Sequence, residues 1–79
     1  MASKTIIDVR TPAEFQGGHV AGSINIPLQE VQARLAEIKA MKHPIILCCA
    51  SGARSGSAAS FLKSVGVNCK NDGGWMEVN

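Results

Sequence analysis

The chain has no tyrosine, one tryptophan and two phenylalanines, and the few rings are not interleaved with basic residues. Eight Lys and Arg stand against six Asp and Glu, a net charge of +2 with no cationic cluster. Both facts argue against a nucleic-acid partner, which would call for a basic patch or stacking rings. No apolar run approaches the ~18 residues of a membrane span, and the first residues lack the charged, apolar and small-residue zones of an export signal. The chain as written is therefore expected to be soluble and cytoplasmic, with a periplasmic site expected only if Met1-Ala2-Ser3 replaces a removed signal. Three cysteines, two of them adjacent, do not make a disulfide framework and fit thiols kept reduced. Lone His19 and His43 with scattered cysteines give no metal-ligand spacing. Linkers, repeats and low-complexity runs are also lacking, so residues 1–79 are expected to be one monomeric domain. A domain of that length buries only ~60% of the surface its unfolded form exposes.

What is present concentrates in Ile45-Ile46-Leu47-Cys48-Cys49-Ala50-Ser51-Gly52-Ala53-Arg54-Ser55. An apolar strand runs into Cys49, and a loop of small residues opens a helix. Such a turn can aim backbone N–H groups from Ala50, Ser51, Gly52, Ala53, Arg54 and Ser55 at the sulfur. Those donors, the positive end of the helix dipole and the Arg54 guanidinium all favour thiolate over thiol. The same loop can then cradle an anionic substrate. Four residues separate Cys49 from Arg54, against five in the phosphate-binding loop of cysteine phosphatases. The tighter cradle suits something smaller than a phosphoryl group, such as one sulfur atom carried on cysteine.

Here the sequence resembles the rhodanese family of sulfurtransferases, whose active loop reads Cys-x-x-Gly-x-Arg-Ser in many members, as Cys49 to Ser55 does. Asp8-Val9-Arg10-Thr11-Pro12-Ala13-Glu14-Phe15, Gly18-His19-Val20-Ala21-Gly22-Ser23-Ile24-Asn25-Ile26-Pro27 and Gly73-Gly74-Trp75 match further segments in the family's order. Together they span most of the chain, and the short bacterial single-domain members are the nearest in wording. The resemblance implies an α/β domain with a mainly parallel sheet of about four strands flanked by helices, the third strand lying between the first and last. It also implies that the family's usual first strand and last helix are lacking, from which a low unfolding free energy is expected.

The residues place these motifs. Thr5 to Val9 reads as a strand, and Thr11-Pro12-Ala13-Glu14 carries the capping-box pattern of a short helix stopped by Gly17-Gly18. Ser23 to Ile26 reads as a second strand ended by Pro27. Leu28, Val31, Leu35 and Ile38 recur at three and four, which predicts one helix with Glu30 and Arg34 paired outside. After the break at Pro44, Ile45 to Cys48 is apolar without alternation, as a central strand covered on both faces should be. Ser55 to Val65 reads as a helix burying Ala58, Phe61, Leu62 and Val65, capped by Gly66. Val67 to Lys70 is expected to be the last strand. The alternation of strands and helices puts the loop at the carboxyl ends of a parallel sheet.

The expected chemistry is double displacement through a persulfide on Cys49, with thiosulfate as donor and cyanide, a thiol or a protein partner as acceptor, and no metal or organic cofactor. Cys48 and Cys69 read as buried structural thiols, with an accessory redox role open for either. Arg54 opposes the helix dipole at its position, so two jobs are open to it: holding the donor's sulfonate, or closing the loop by an ion pair to Asp8 or Glu14. Asp8 and Arg10 are expected to fix loop geometry. His19 reads as a hydrogen-bonding turn residue, and Trp75 as cover for the core or a wall of the pocket. Ser51 and Ser55 can add hydroxyl donors. Three other functions stay open: a phosphatase or arsenate reductase, a non-catalytic interaction module, and a redox protein using Cys48 and Cys49.

Overall fold

The computed structural model describes residues 4–78; the Met1-Ala2-Ser3 start lies outside them. Four strands make one parallel sheet, ordered β2-β1-β3-β4. Strand β1 is Thr5–Asp8, β2 Ile24–Asn25, β3 Ile45–Cys49 and β4 Cys69–Gly74. The third strand does lie between the first and the last. Every residue of β3 is buried, in keeping with its unbroken apolar run and its place inside a sheet covered on both faces. The main core gathers Ile7, Val9, Ile26, Val31, Ile38, Ile45, Leu47, Ala58, Leu62 and Val67, with Phe61 and Val65 packed against it only partly buried.

Helix α1, Pro12–Gln16, begins with the expected capping box: Thr11 Oγ1 accepts from the Glu14 N–H, and Glu14 accepts from the Thr11 N–H. Helix α3, Ala53–Ser64, starts two residues before the predicted boundary, with Gly52 as its cap.

Two expectations are corrected. The helix predicted from Leu28 to Ile38 is in two pieces, a 3₁₀ turn at Leu28–Glu30 and helix α2 at Leu35–Lys39. Tight three-residue closures such as Glu30 N–H to the Pro27 carbonyl and Leu35 N–H to the Gln32 carbonyl interrupt it. Val31 and Ile38 stay buried all the same, since the spacing of three from Leu28 to Val31 suits a 3₁₀ turn as well as an α-helix. Arg34 pairs with Glu30 as expected and also with Glu37. The last strand, expected at Val67 to Lys70, is displaced toward the C-terminus. A register irregularity opposite Leu47 and Cys49 lets β4 continue past Asn71 until Gly74 pairs with Cys49. That continuation brings Gly73-Gly74-Trp75 beside the cysteine loop.

Candidate active site

Strand β3 delivers Cys49 to the carboxyl edge of the sheet, and residues 50–52 turn the chain into α3. The turn requires Gly52, whose φ of 101° lies in the left-handed region and whose added Cβ would stand 3.1 Å from Gly73 Cα. Gly74 is held as closely: a Cβ there would lie 2.9 Å from the Ala50 carbonyl oxygen. The loop is thus pressed against the end of β4, with the Gly-Gly pair as its back wall.

Within this loop Cys49 Sγ accepts the Gly52 N–H at 3.0 Å and the Ser55 N–H at 3.4 Å, and Ser55 Oγ lies 3.4 Å away. Burial, the largest single influence on the thiol, pushes it up. The N–H groups of Ser55, Gly52 and Ser51, with the Ser55 hydroxyl as a donor to the ionised sulfur, together outweigh burial and bring Cys49 down to about 7. The α3 N-terminus supplies these donors, as the loop-to-helix pattern predicted. Of the proposed cradle residues, Ser51, Gly52 and Ser55 therefore act on sulfur. Ala50 forms the contact with β4, Ala53 opens the helix, and Arg54 turns away to α1.

Arg54 pairs with Glu14, Nη1 to Oε1 at 2.8 Å and Nη2 to Oε2 at 3.0 Å. Of the two carboxylates open to it, Glu14 is the partner, and the Arg54 hydrogen bonds hold that carboxyl at about 2. The loop is thereby tied to α1 through a half-exposed fork-to-fork contact.

Asp8 and Arg10 form a second, buried arrangement. The Arg10 Nε and Nη2 donate to the Asp8 carboxylate at 2.7 to 3.0 Å, Nη2 also donates to the Gly18 carbonyl at 2.7 Å, and the guanidinium lies 4.7 Å from the Trp75 ring centroid. This group stands beside Cys48, the strand partner of Asp8, so it braces the sheet end next to the loop. His19 Nδ1 bonds the Phe15 carbonyl at 2.7 Å and its ring stacks on Phe15, a turn contact as expected. Cys69 is buried with its thiol on the Ala59 carbonyl. Among the described residues no group of three or more His, Cys, Asp and Glu side chains could hold a metal ion, and no helix is long and apolar enough to cross a membrane.

One site residue went unforeseen. Asn71 bonds both Ser55 and the Gly52 carbonyl. The only signal for it was its place shortly before Gly73-Gly74, in a stretch that read as the exit of a strand.

Comparison with known proteins agrees with this geometry. The sequence profile of the Rhodanese-like domain matches residues 1–79. The uncharacterized protein YqhL of Bacillus subtilis is 48% identical over 61 residues, covering 77% of this chain and 48% of that protein. The thiosulfate sulfurtransferase PspE of Escherichia coli is 38% identical over 79 residues, covering 98% of this chain and 76% of the relative. The chain thus spans about half the length of the first of these proteins and three quarters of the second. Among solved structures, a rhodanese with anions from E. coli superposes with a TM-score of 0.86 at 36% identity, over 95% of this chain and 91% of that one.

Proposed function

The chain belongs to the rhodanese-like family, and from that premise we propose that it is a sulfurtransferase carrying sulfane sulfur on Cys49. The observation that carries this reading is the ring of donors from Ser51, Gly52 and Ser55 around Cys49 Sγ, which holds the thiol near the point where it ionises at neutral pH. A thiolate there needs no general base, and His19 is occupied elsewhere.

In the first half-reaction the Cys49 thiolate attacks the outer sulfur of thiosulfate. A new S–S bond forms, the S–S bond of the donor breaks, and sulfite leaves with the electron pair. The persulfide carries one negative charge, which the same N–H groups can follow outward. In the second half-reaction cyanide or a thiol attacks the outer sulfur and the Cys49 thiolate is regenerated. With cyanide the product is thiocyanate; a protein thiol as acceptor would leave with the persulfide. Arg54 is the loop's one charged side chain, and engagement of the sulfonate would require it to share or leave Glu14.

Intact-protein mass spectrometry of the reduced chain, before and after thiosulfate, tests this. The expected result is a gain of one sulfur atom that cyanide removes and that Cys49→Ser lacks. No adduct with thiosulfate or with a small-molecule persulfide donor would overturn the reading.

A further inference from the structure

The Ser55 hydroxyl has one proton and two neighbours that could take it. Its Oγ lies 2.7 Å from Asn71 Oδ1 and 3.4 Å from Cys49 Sγ. The direction of that proton depends on how the Asn71 amide is turned, and two backbone groups fix the amide. Gly73 N–H donates to Oδ1 at 2.9 Å, while Nδ2 donates to the Gly52 carbonyl at 3.1 Å. A flipped amide would set N–H against N–H and oxygen against oxygen. Oδ1 therefore faces Ser55, and because an amide oxygen only accepts, the hydroxyl proton points to Asn71. What Ser55 turns toward sulfur is a lone pair, which suits a thiol S–H and not a thiolate.

We infer that Asn71 is a positioning residue of the Cys49 site, which holds the Ser55 hydroxyl proton while the sulfur is a thiol and yields it when the sulfur ionises. The rearrangement is a rotation about the Ser55 Cβ–Oγ bond. The hydroxyl proton stays on Oγ and swings from Oδ1 to Sγ, the thiol's own proton leaves to solvent, and Oδ1 keeps the Gly73 N–H. The inference rests on the reading of Cys49 as the working thiol and adds to it a residue that restrains ionisation.

A purely structural Asn71 predicts the opposite sign. Its Nδ2 steadies Gly52, whose N–H is the nearest donor to sulfur, so loss of that tie alone would weaken the donor ring and raise the thiol pKa. Loss of the competing acceptor frees the Ser55 proton for sulfur and lowers it. The titratable and charged groups around Cys49 are Arg54 on α3, Cys48 beside it on β3, and, next to Cys48, Asp8, Arg10 and Asp72. The charged members are retained in every variant below.

The test is the ultraviolet thiolate titration of the full chain carrying Cys48→Ala and Cys69→Ala, so that Cys49 is the one thiol. Asn71→Ala is expected to lower its pKa by roughly half to one pH unit, and to leave it unchanged or slightly raised when Ser55→Ala is already present. A rise, no change, or an equal fall without Ser55 would overturn the inference. Should Asn71→Ala not fold, NMR of the unsubstituted chain decides. The Gly73 amide proton is expected to shift with the midpoint of Cys49 ionisation and to lose that shift in Ser55→Ala; a Gly73 resonance indifferent to the titration would overturn the assignment. Sulfur loading, read separately by mass, keeps the two conclusions apart: an unloaded chain refutes sulfur transfer, and an unmoved pKa refutes the role of Asn71.

Discussion

Cys48 and Cys49 are neighbours on one strand, and both are 0% exposed, yet their surroundings drive them in opposite directions. Burial is the largest influence on each. On the Cys48 side it is reinforced by the negative charge of Asp8, only partly offset by Arg10, and the thiol is pushed up to about 11. On the Cys49 side the N–H groups of Ser51, Gly52 and Ser55 point at the sulfur and the Ser55 hydroxyl is in reach of its thiolate, and the thiol comes down to about 7. Successive residues of a strand face opposite sides of a sheet, so a shift of one position separates a thiol pushed up from a thiol brought down. Depth alone does not set how readily these thiols ionise; the donors at that depth do.

The broadest test of this contrast exchanges the two thiols for hydroxyls. Cys49→Ser is expected to abolish sulfur loading from thiosulfate, and Cys48→Ser to retain it, as read by intact mass. Alkylation against pH, with the modified residue located by tandem mass spectrometry, measures the contrast directly. Cys49, brought down to about 7, ionises far more readily at neutral pH than Cys48, pushed up to about 11, so labelling at Cys49 should dominate. The sign follows from the depressed value: Cys49 reactivity rises with pH and is half-maximal near 7. The stability contributed by its preferred ionisation is full above the ordinary thiol range and lost as pH falls through about 7.

Arg10→Met sharpens the comparison from the other side. It strips the buried Asp8 carboxylate of its partner and should cost about 3–5 kcal/mol in denaturant unfolding, while raising Cys48 further and leaving Cys49 near 7. The smallest effect is expected from Glu14→Gln. Release of Arg54 from its carboxylate should lower the KM for thiosulfate by roughly two- to fivefold, an effect that added salt diminishes.

The parts of this contrast that were legible in the sequence are those written in local signals. The Cys49 loop, the capping box at Thr11 and Glu14 and the central place of β3 follow from spacing, cap chemistry and an unbroken apolar run. Arg54 could be assigned two jobs but not one partner, since the choice between Asp8 and Glu14 depends on where α1 lands against the loop. The break between Leu28 and Ile38 was hidden because the spacing of three at its start suits a 3₁₀ turn as well as an α-helix. Asn71 was hidden for a different reason. Lys70-Asn71-Asp72 has the composition of a turn, and only the register irregularity opposite Leu47 and Cys49 keeps it in the sheet and beneath the loop.

The complete enclosure of Cys49 has a consequence for what the molecule would carry. A sulfane sulfur exposed on a surface reacts with whatever thiol or oxidant diffuses past. Cys49 Sγ lies under residues 50–55 and against the Gly73-Gly74 wall with none of its surface exposed, so a sulfur carried there would be sheltered from bulky thiols, and its release would wait on an acceptor slender enough to enter or able to lift the loop.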